Sequence, residues 1–218
     1  MESNWDNLKP RTNYHYDPFK TDPAYDAMRY VGRFEGDWNE ELTQTIESSA
    51  EVTWRNRNPL DGTSPEIEIE EYDLVRSGAS ANLVLTNLEY ELPPVFQRMT
   101  DALHFKPKKI QSRVHVQMPG QVWNHHIDKL EKFFPDEPDK IYRFIVMLTD
   151  WEPGHFLQYG NFMHTGYRAG EIYGFDWYNV PHCTANAGHN PRCSMLITGI
   201  ATDNTLKLFS TFNNVISI

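Results

Sequence analysis

Two imidazoles, one carboxylate and one guanidinium, in a fixed order, are the groups of this sequence best suited to chemistry. His126-Ile127-Asp128 sets a histidine two residues before an aspartate, His182 follows far along the chain, and Arg192 stands ten residues after it. Two histidines and a carboxylate form a facial triad, which holds a divalent metal, iron(II) above all, and leaves the opposite positions open. In an extended segment residues i and i+2 point the same way, so His126 and Asp128 can reach one ion. His182 must then arrive from a distant strand or loop. The open positions suit 2-oxoglutarate, bound through its C1 carboxylate and keto oxygen, with dioxygen beside it. An arginine such as Arg192 would grip the far carboxylate by paired hydrogen bonds. Such a centre oxidises an unactivated C–H bond while 2-oxoglutarate loses CO2 to give succinate.

Each piece alone is weak. With nine histidines and fourteen aspartates, chance supplies about 0.6 His-x-Asp matches in a chain of this length. A second match exists, His15-Tyr16-Asp17, but it precedes Pro18 in an N-terminal arm with no strand pattern. Order, spacing and context favour His126, Asp128 and His182 together. Arg192 opens the apolar run Cys193-Ser194-Met195-Leu196-Ile197, and a guanidinium entering a buried strand demands an anionic partner. A bound dicarboxylate or a structural acid would serve. Arg143, before Phe144-Ile145-Val146, poses the same question. Cys183 and Cys193 read as small buried apolar residues rather than redox groups. His125 points away from His126 on an extended chain, and His104, His155, His164 and His189 read as surface or structural. Trp123, Trp151, Trp177 and Tyr178 could wall a pocket, but core packing is the safer reading.

The elements that must carry these groups fit one domain of 218 residues, with residues 1–105 supporting a core over 106–218. Apolar residues make up 39% and aromatics 13% of the chain, a globular profile. A formal charge of −10 opposes binding to a phosphate backbone. No apolar run is long enough to span a membrane and no leader is visible, so a cytoplasmic protein is expected. Asp22-Pro23 suggests a helix start, and 40–54 reads as helix or extended chain. Glu66-Ile67-Glu68-Ile69-Glu70 alternates as a strand, Ser77-Gly78 marks a turn, and 81–88 is a further strand. Val95, Phe96, Met99, Ala102 and Leu103 follow helical spacing after Pro93-Pro94, which predicts an amphipathic helix packed on a sheet. Short strands are expected near 112–118, 141–150, 155–160, 170–176, 193–202 and 205–211, with glycines at their edges. That pattern predicts a mainly β sandwich or jelly roll.

Taken together, these residues resemble the aspartyl/asparaginyl/proline β-hydroxylase branch of the iron(II)/2-oxoglutarate oxygenases. The likeness runs over about 112–202. It comprises Met118-Pro119-Gly120 with Val122-Trp123, His126-x-Asp128, Arg143 before an apolar strand, Gly170-Glu171 with Phe175-Asp176, His182 with Asn186, and Pro191-Arg192. The resemblance implies a double-stranded β-helix (jelly-roll, cupin-like) core. It implies that Arg192 binds the C5 carboxylate of 2-oxoglutarate, that Arg143 contacts the C1 carboxylate, and that His115 or Gln117 helps hold the co-substrate. The substrate would be an amino acid or an amino-acid side chain in a protein or peptide. Asp128 departs from the members that lack a triad carboxylate, and it argues against a halogenase. The 129–142 insertion suggests a lid. Two rival readings are a cupin-like metal- or sugar-binding module without redox turnover and a nucleic-acid demethylase of the same superfamily.

Overall fold

The computed structural model describes residues 28–48, 83–87, 91–131, 133–160, 162–174, 177, 180–211 and 213–218. The second His-x-Asp match, the Asp22-Pro23 helix start, the 66–70 alternation, the Ser77-Gly78 turn, Phe175-Asp176 and Tyr178 lie outside these residues.

Strands β1 (Arg29–Glu35), β2 (Leu83–Thr86), β3 (Ile110–Gln117), β5 (Ile141–Met147), β8 (Glu171–Gly174), β10 (Arg192–Ile200) and β11 (Asn214–Ser217) form a seven-stranded sheet in the order β11-β1-β8-β5-β10-β3-β2. Strands β4 (Val122–His126), β6 (His155–Tyr159), β7 (Phe162–Met163) and β9 (His182–Asn186) form a second sheet in the order β4-β9-β6-β7. Apart from the β6–β7 hairpin within the smaller sheet, the chain alternates between the sheets from β3 through β10, and those eight strands make a double-stranded β-helix.

The larger sheet has two faces, and strand alternation sorts the side chains between them. Val114, Val116, Phe144, Val146, Cys193, Met195 and Ile197 join the main core. Helix α2 (Pro94–Asp101) covers that face with Val95, Phe96, Met99 and Thr100 buried, as its spacing predicts. Helix α1 (Asn39–Ser48) makes the described part of the ambiguous 40–54 region helix, residues 49–54 lying outside the described residues, and adds Leu42 to the same core, beside Val31, Phe34 and Trp38. The opposite face carries Arg113, His115, Gln117, Arg143, Ile145, Arg192, Ser194 and Leu196, all of which line one cavity between the sheets. Because both faces are covered, β5 and β10 read as nearly continuous apolar runs, in which Arg143, Arg192 and Ser194 enter the cavity.

One expected strand is a helix. Of residues 205–211, 205–210 fall in α3 (Asp203–Ser210) and Thr211 is its C-cap. Thr202 caps it: its hydroxyl accepts from the Thr205 backbone N–H, and the Thr205 hydroxyl accepts from the Thr202 backbone N–H. This is a capping box with threonine where glutamate or glutamine is the recognisable signal. The 129–142 insertion carries a small core of its own, in which Leu130 and Phe134 pack with Ile141, Trp177 and Ile200. Lys106 and Lys140 both pair with Glu137 at its tip.

Candidate metal and carboxylate site

His126 is the last residue of β4, and Asp128 sits two residues on in an irregular segment held by its backbone N–H to the Trp177 carbonyl at 3.2 Å. His182 opens β9 directly opposite His126 in the strand pairing. The chain thus brings the three expected ligands together as a register consequence of β4 on β9. One donor atom from each lies within 4.8 Å of the others. His126 Nε2 is 3.7 Å from Asp128 Oδ1 and His182 Nε2 is 3.5 Å from Asp128 Oδ2. Cis donors on one ion sit about 3 Å apart for bonds of roughly 2.1 Å, so these pairs are assembled to within an ångström.

The proton positions also suit a metal. His182 Nδ1 lies 3.2 Å from the Val180 carbonyl, which only an Nδ1–H can donate to, and this leaves a lone pair on Nε2. The Trp123 indole N–H donates to His126 Nε2 at 3.1 Å, so that nitrogen too presents its lone pair. Burial works against a charge on Asp128. The Arg143 guanidinium, which pairs directly with Oδ2, outweighs it and holds the carboxyl well below the usual range. Arg143 is 4% exposed and Asp128 12%, so the pair is largely sheltered from water.

Arg192 faces the other end of the cavity at 2% exposure. Its Nε–H donates to Tyr167 Oη at 3.2 Å and Nη1 to Gln117 Oε1 at 3.4 Å. Both partners are neutral. Nη2 is buried and has no hydrogen-bond partner among the described residues. A sheltered cation with one donor unused is a seat for an anion. Gln117 is locked in turn, its amide donating to the Thr184 carbonyl and hydroxyl at 3.3 and 3.2 Å. His115 lies between the two ends, with Nε2 buried and unpartnered among the described residues. Burial first, then the charges of Arg113, Arg143 and Arg192, push its pKa well below the ordinary value, so it is neutral.

The surrounding loops fix this arrangement. Gly120, at φ +87°, turns the chain after Met118-Pro119 so that its N–H donates to the Asn186 carbonyl at 2.7 Å. The Asn186 amide donates to the Gln117 and Asn190 carbonyls, each at 2.8 Å, tying the end of the His182 strand to the loop that delivers Arg192. His155 is structural, buried with Nε2 3.2 Å from the Asn190 carbonyl, and His125 is exposed. Cys193 is buried. Trp123 lines the cavity, whereas Trp177 packs in the insertion core. Tyr167 and Thr184 escape sequence reasoning because each acts through a single hydroxyl with no spacing to mark it. The cavity is about 60 Å³.

No family model matches the chain, and no curated protein matches it in sequence. Among solved structures, a prolyl-4-hydroxylase from Pseudomonas putida superposes with a TM-score of 0.52, covering 83% of this chain and 96% of that one at 15% identity. A predicted oxalate decarboxylase from Thermotoga maritima gives 0.37, covering 70% and 96% at 12% identity. A cupin protein from Bacteroides fragilis gives 0.32, covering 44% and 70% at 11% identity. At 15% identity the likeness to the prolyl-4-hydroxylase concerns the fold.

Proposed function

We propose that the protein is an iron(II)- and 2-oxoglutarate-dependent oxygenase that hydroxylates a C–H bond of an amino acid or an amino-acid side chain. The observation that carries this reading is the buried Arg192, with an unused Nη2, in the same cavity as the His126, Asp128 and His182 donors. A metal-binding module with no co-substrate has no need of a sheltered guanidinium. The fold shared with a prolyl-4-hydroxylase accords with the proposal.

His126, Asp128 and His182 would hold the metal, which when bound would supply the activation of dioxygen that the side chains lack. The protein's own part is orientation. Arg192 receives the distal carboxylate of 2-oxoglutarate, with Gln117 and Tyr167 fixing the plane of its guanidinium. Arg143 keeps Asp128 ionised and aimed at the two imidazoles. His115, neutral, can donate or accept at Nε2 without adding charge. The apolar walls from Ile145, Leu157, Leu196 and Tyr159 limit water around them.

Anaerobic titration of the protein with iron(II) and 2-oxoglutarate tests the proposal. The weak visible charge-transfer band of the chelate is expected in wild type, lost in His182→Ala, and displaced to about tenfold or more higher 2-oxoglutarate in Arg192→Met, the scale of one charge-assisted hydrogen bond. Absence of the band in wild type, or its persistence in His182→Ala, refutes it.

A further inference from the structure

The rings beside the cavity differ in kind from those of the main core. In the main core the buried rings are Phe34, Phe96, Phe105 and Phe144, with Trp38. The cluster that adjoins the cavity is built round Tyr159 and Tyr167, with Tyr173 and Trp151 packed against it, and no phenylalanine belongs to it among the described residues. Phenylalanine would fill the same space and leave no phenol hydroxyl to satisfy. Tyrosine and tryptophan differ from it chemically in giving up an electron readily.

Rings on this side form a continuous series from the metal donors outward. Tyr159 is the cross-strand neighbour of His182 where β6 pairs with β9, and their ring centres are 6.4 Å apart. From Tyr159, which is 1% exposed, the series runs 6.5 Å to His164, 6.1 Å to Tyr173 and 5.6 Å to Tyr30, a partly exposed residue of β1. His164 stands edge-on between the two phenols, with its Nε2 accepting the Met28 N–H at 3.5 Å. The Tyr173 hydroxyl donates to Glu171 Oε2 at 2.7 Å. Burial first, then that bond, pushes the Tyr173 pKa above its ordinary value, so the phenol keeps its proton until the ring is oxidised. An oxidised phenol is a strong acid, and a carboxylate already in contact can take its proton at once. Electron transfer falls off steeply with distance, so rings in near contact carry a charge further than one long step would.

We infer that Tyr159, Tyr173 and Tyr30, bridged by His164, form a path by which an oxidising equivalent produced at the metal donors with no substrate in place leaves the cavity for the surface. The inference rests on the oxygenase reading for the source of the oxidant. Tyr159 gives an electron and its phenolic proton to the metal site. Tyr173 returns an electron to Tyr159, which regains a proton from solvent, while the Tyr173 proton passes to Glu171. Tyr30 then reduces Tyr173, whose proton comes back from Glu171, and releases its own proton to solvent. A soluble one-electron reductant of the ascorbate class restores Tyr30 with an electron and a proton. The net transfer is one electron and one proton from that reductant to the metal site, and the metal donors are spared oxidation.

Protein loaded with iron(II) and 2-oxoglutarate is mixed with oxygenated buffer, without primary substrate or reductant, frozen at intervals and examined by electron paramagnetic resonance. Wild type should show a tyrosyl signal that narrows when the chain carries ring-deuterated tyrosine. Tyr159→Phe conserves the packing and should lose the signal, with peptide mapping then finding added oxygen on Trp123, His126 or His182. Tyr173→Phe should strand the radical on Tyr159, which the map should show converted to a catechol. Tyr30→Phe should leave succinate formation unchanged and slow the quenching of the signal by added ascorbate. A purely structural role for these phenols would leave signal and map alike in all three variants. If wild type forms succinate without a tyrosyl signal, if Tyr159→Phe retains the signal, or if ascorbate quenches Tyr30→Phe as fast as wild type, the path is refuted. Succinate is measured in the same samples, so its absence counts against the oxygenase reading. In that case hydrogen peroxide is added to the iron(II)-loaded protein as the oxidant, where no tyrosyl signal, or one that Tyr159→Phe retains, still refutes the path.

Discussion

Replacing Arg143 by methionine tests how the site stores its charge. Asp128 is 12% exposed and depends on Arg143 as its main counter-charge. Methionine nearly conserves the apolar stem but leaves the carboxylate uncompensated. Breaking a buried ion pair at one partner costs about 3–5 kcal/mol, and the residual exposure of Asp128 reduces this to about 2–4 kcal/mol. For a chain of this length each kcal/mol moves Tm by about 2–4 °C, so Arg143→Met in EDTA should melt roughly 4–16 °C below wild type at pH 7. A divalent ion supplies the missing positive charge, so manganese(II) should raise the variant's Tm by more than it raises that of wild type. The pH dependence has a definite sign. The folded pKa of Asp128 is depressed, so its contribution is complete above the unfolded value of about 3.9 and fades only as pH falls from there through the folded value. The gap between wild type and variant should therefore be constant from pH 5 to 8 and narrow only in stronger acid. Thermal unfolding followed by circular dichroism measures all three effects. A variant in EDTA within 2 °C of wild type, or one that gains no more from the metal, would refute the reasoning.

Two further outcomes are expected. The Trp123 indole donates to His126 Nε2, the lone pair a metal requires; Trp123→Phe removes this competitor and should tighten manganese(II) binding about 2- to 12-fold, from a net bond of about 0.5–1.5 kcal/mol. Competition against a chelating dye measures it, and unchanged or weaker affinity contradicts the competition. Burial pushes the Cys193 thiol up to about 12 against the opposing pull of Arg192, so a thiol reagent at pH 8 should modify Cys193 only after the protein is unfolded in urea, as peptide mapping would reveal.

How much of this was readable in advance depended on whether the signal was local. His126, Asp128, His182 and Arg192 stood out because their spacing is rare in combination, and the structure gathers them in one cavity. Alternation along β3 and β5 separates cavity residues from core residues, because a sheet covered on both faces still obeys period two. The pairing of Arg143 with Asp128 was not readable, since it depends on how an irregular segment after β4 folds back. The same holds for β1 and β11, which pair in parallel across most of the chain length. The 205–211 error arose where a threonine-only capping box gave no conspicuous start signal.

The donors for a metal come from β4, β9 and the segment after β4, whereas the three guanidiniums come from β3, β5 and β10 in the other sheet. Under the proposed function, reactivity and molecular choice are therefore written on opposite leaves of the sandwich. Substitutions among the guanidiniums on one leaf can alter what the cavity admits while the metal donors on the other leaf stay in place. Arg143 and Asp128 alone bind the two programmes together by a direct ion pair among the described residues, and variation at that pair would disturb both at once.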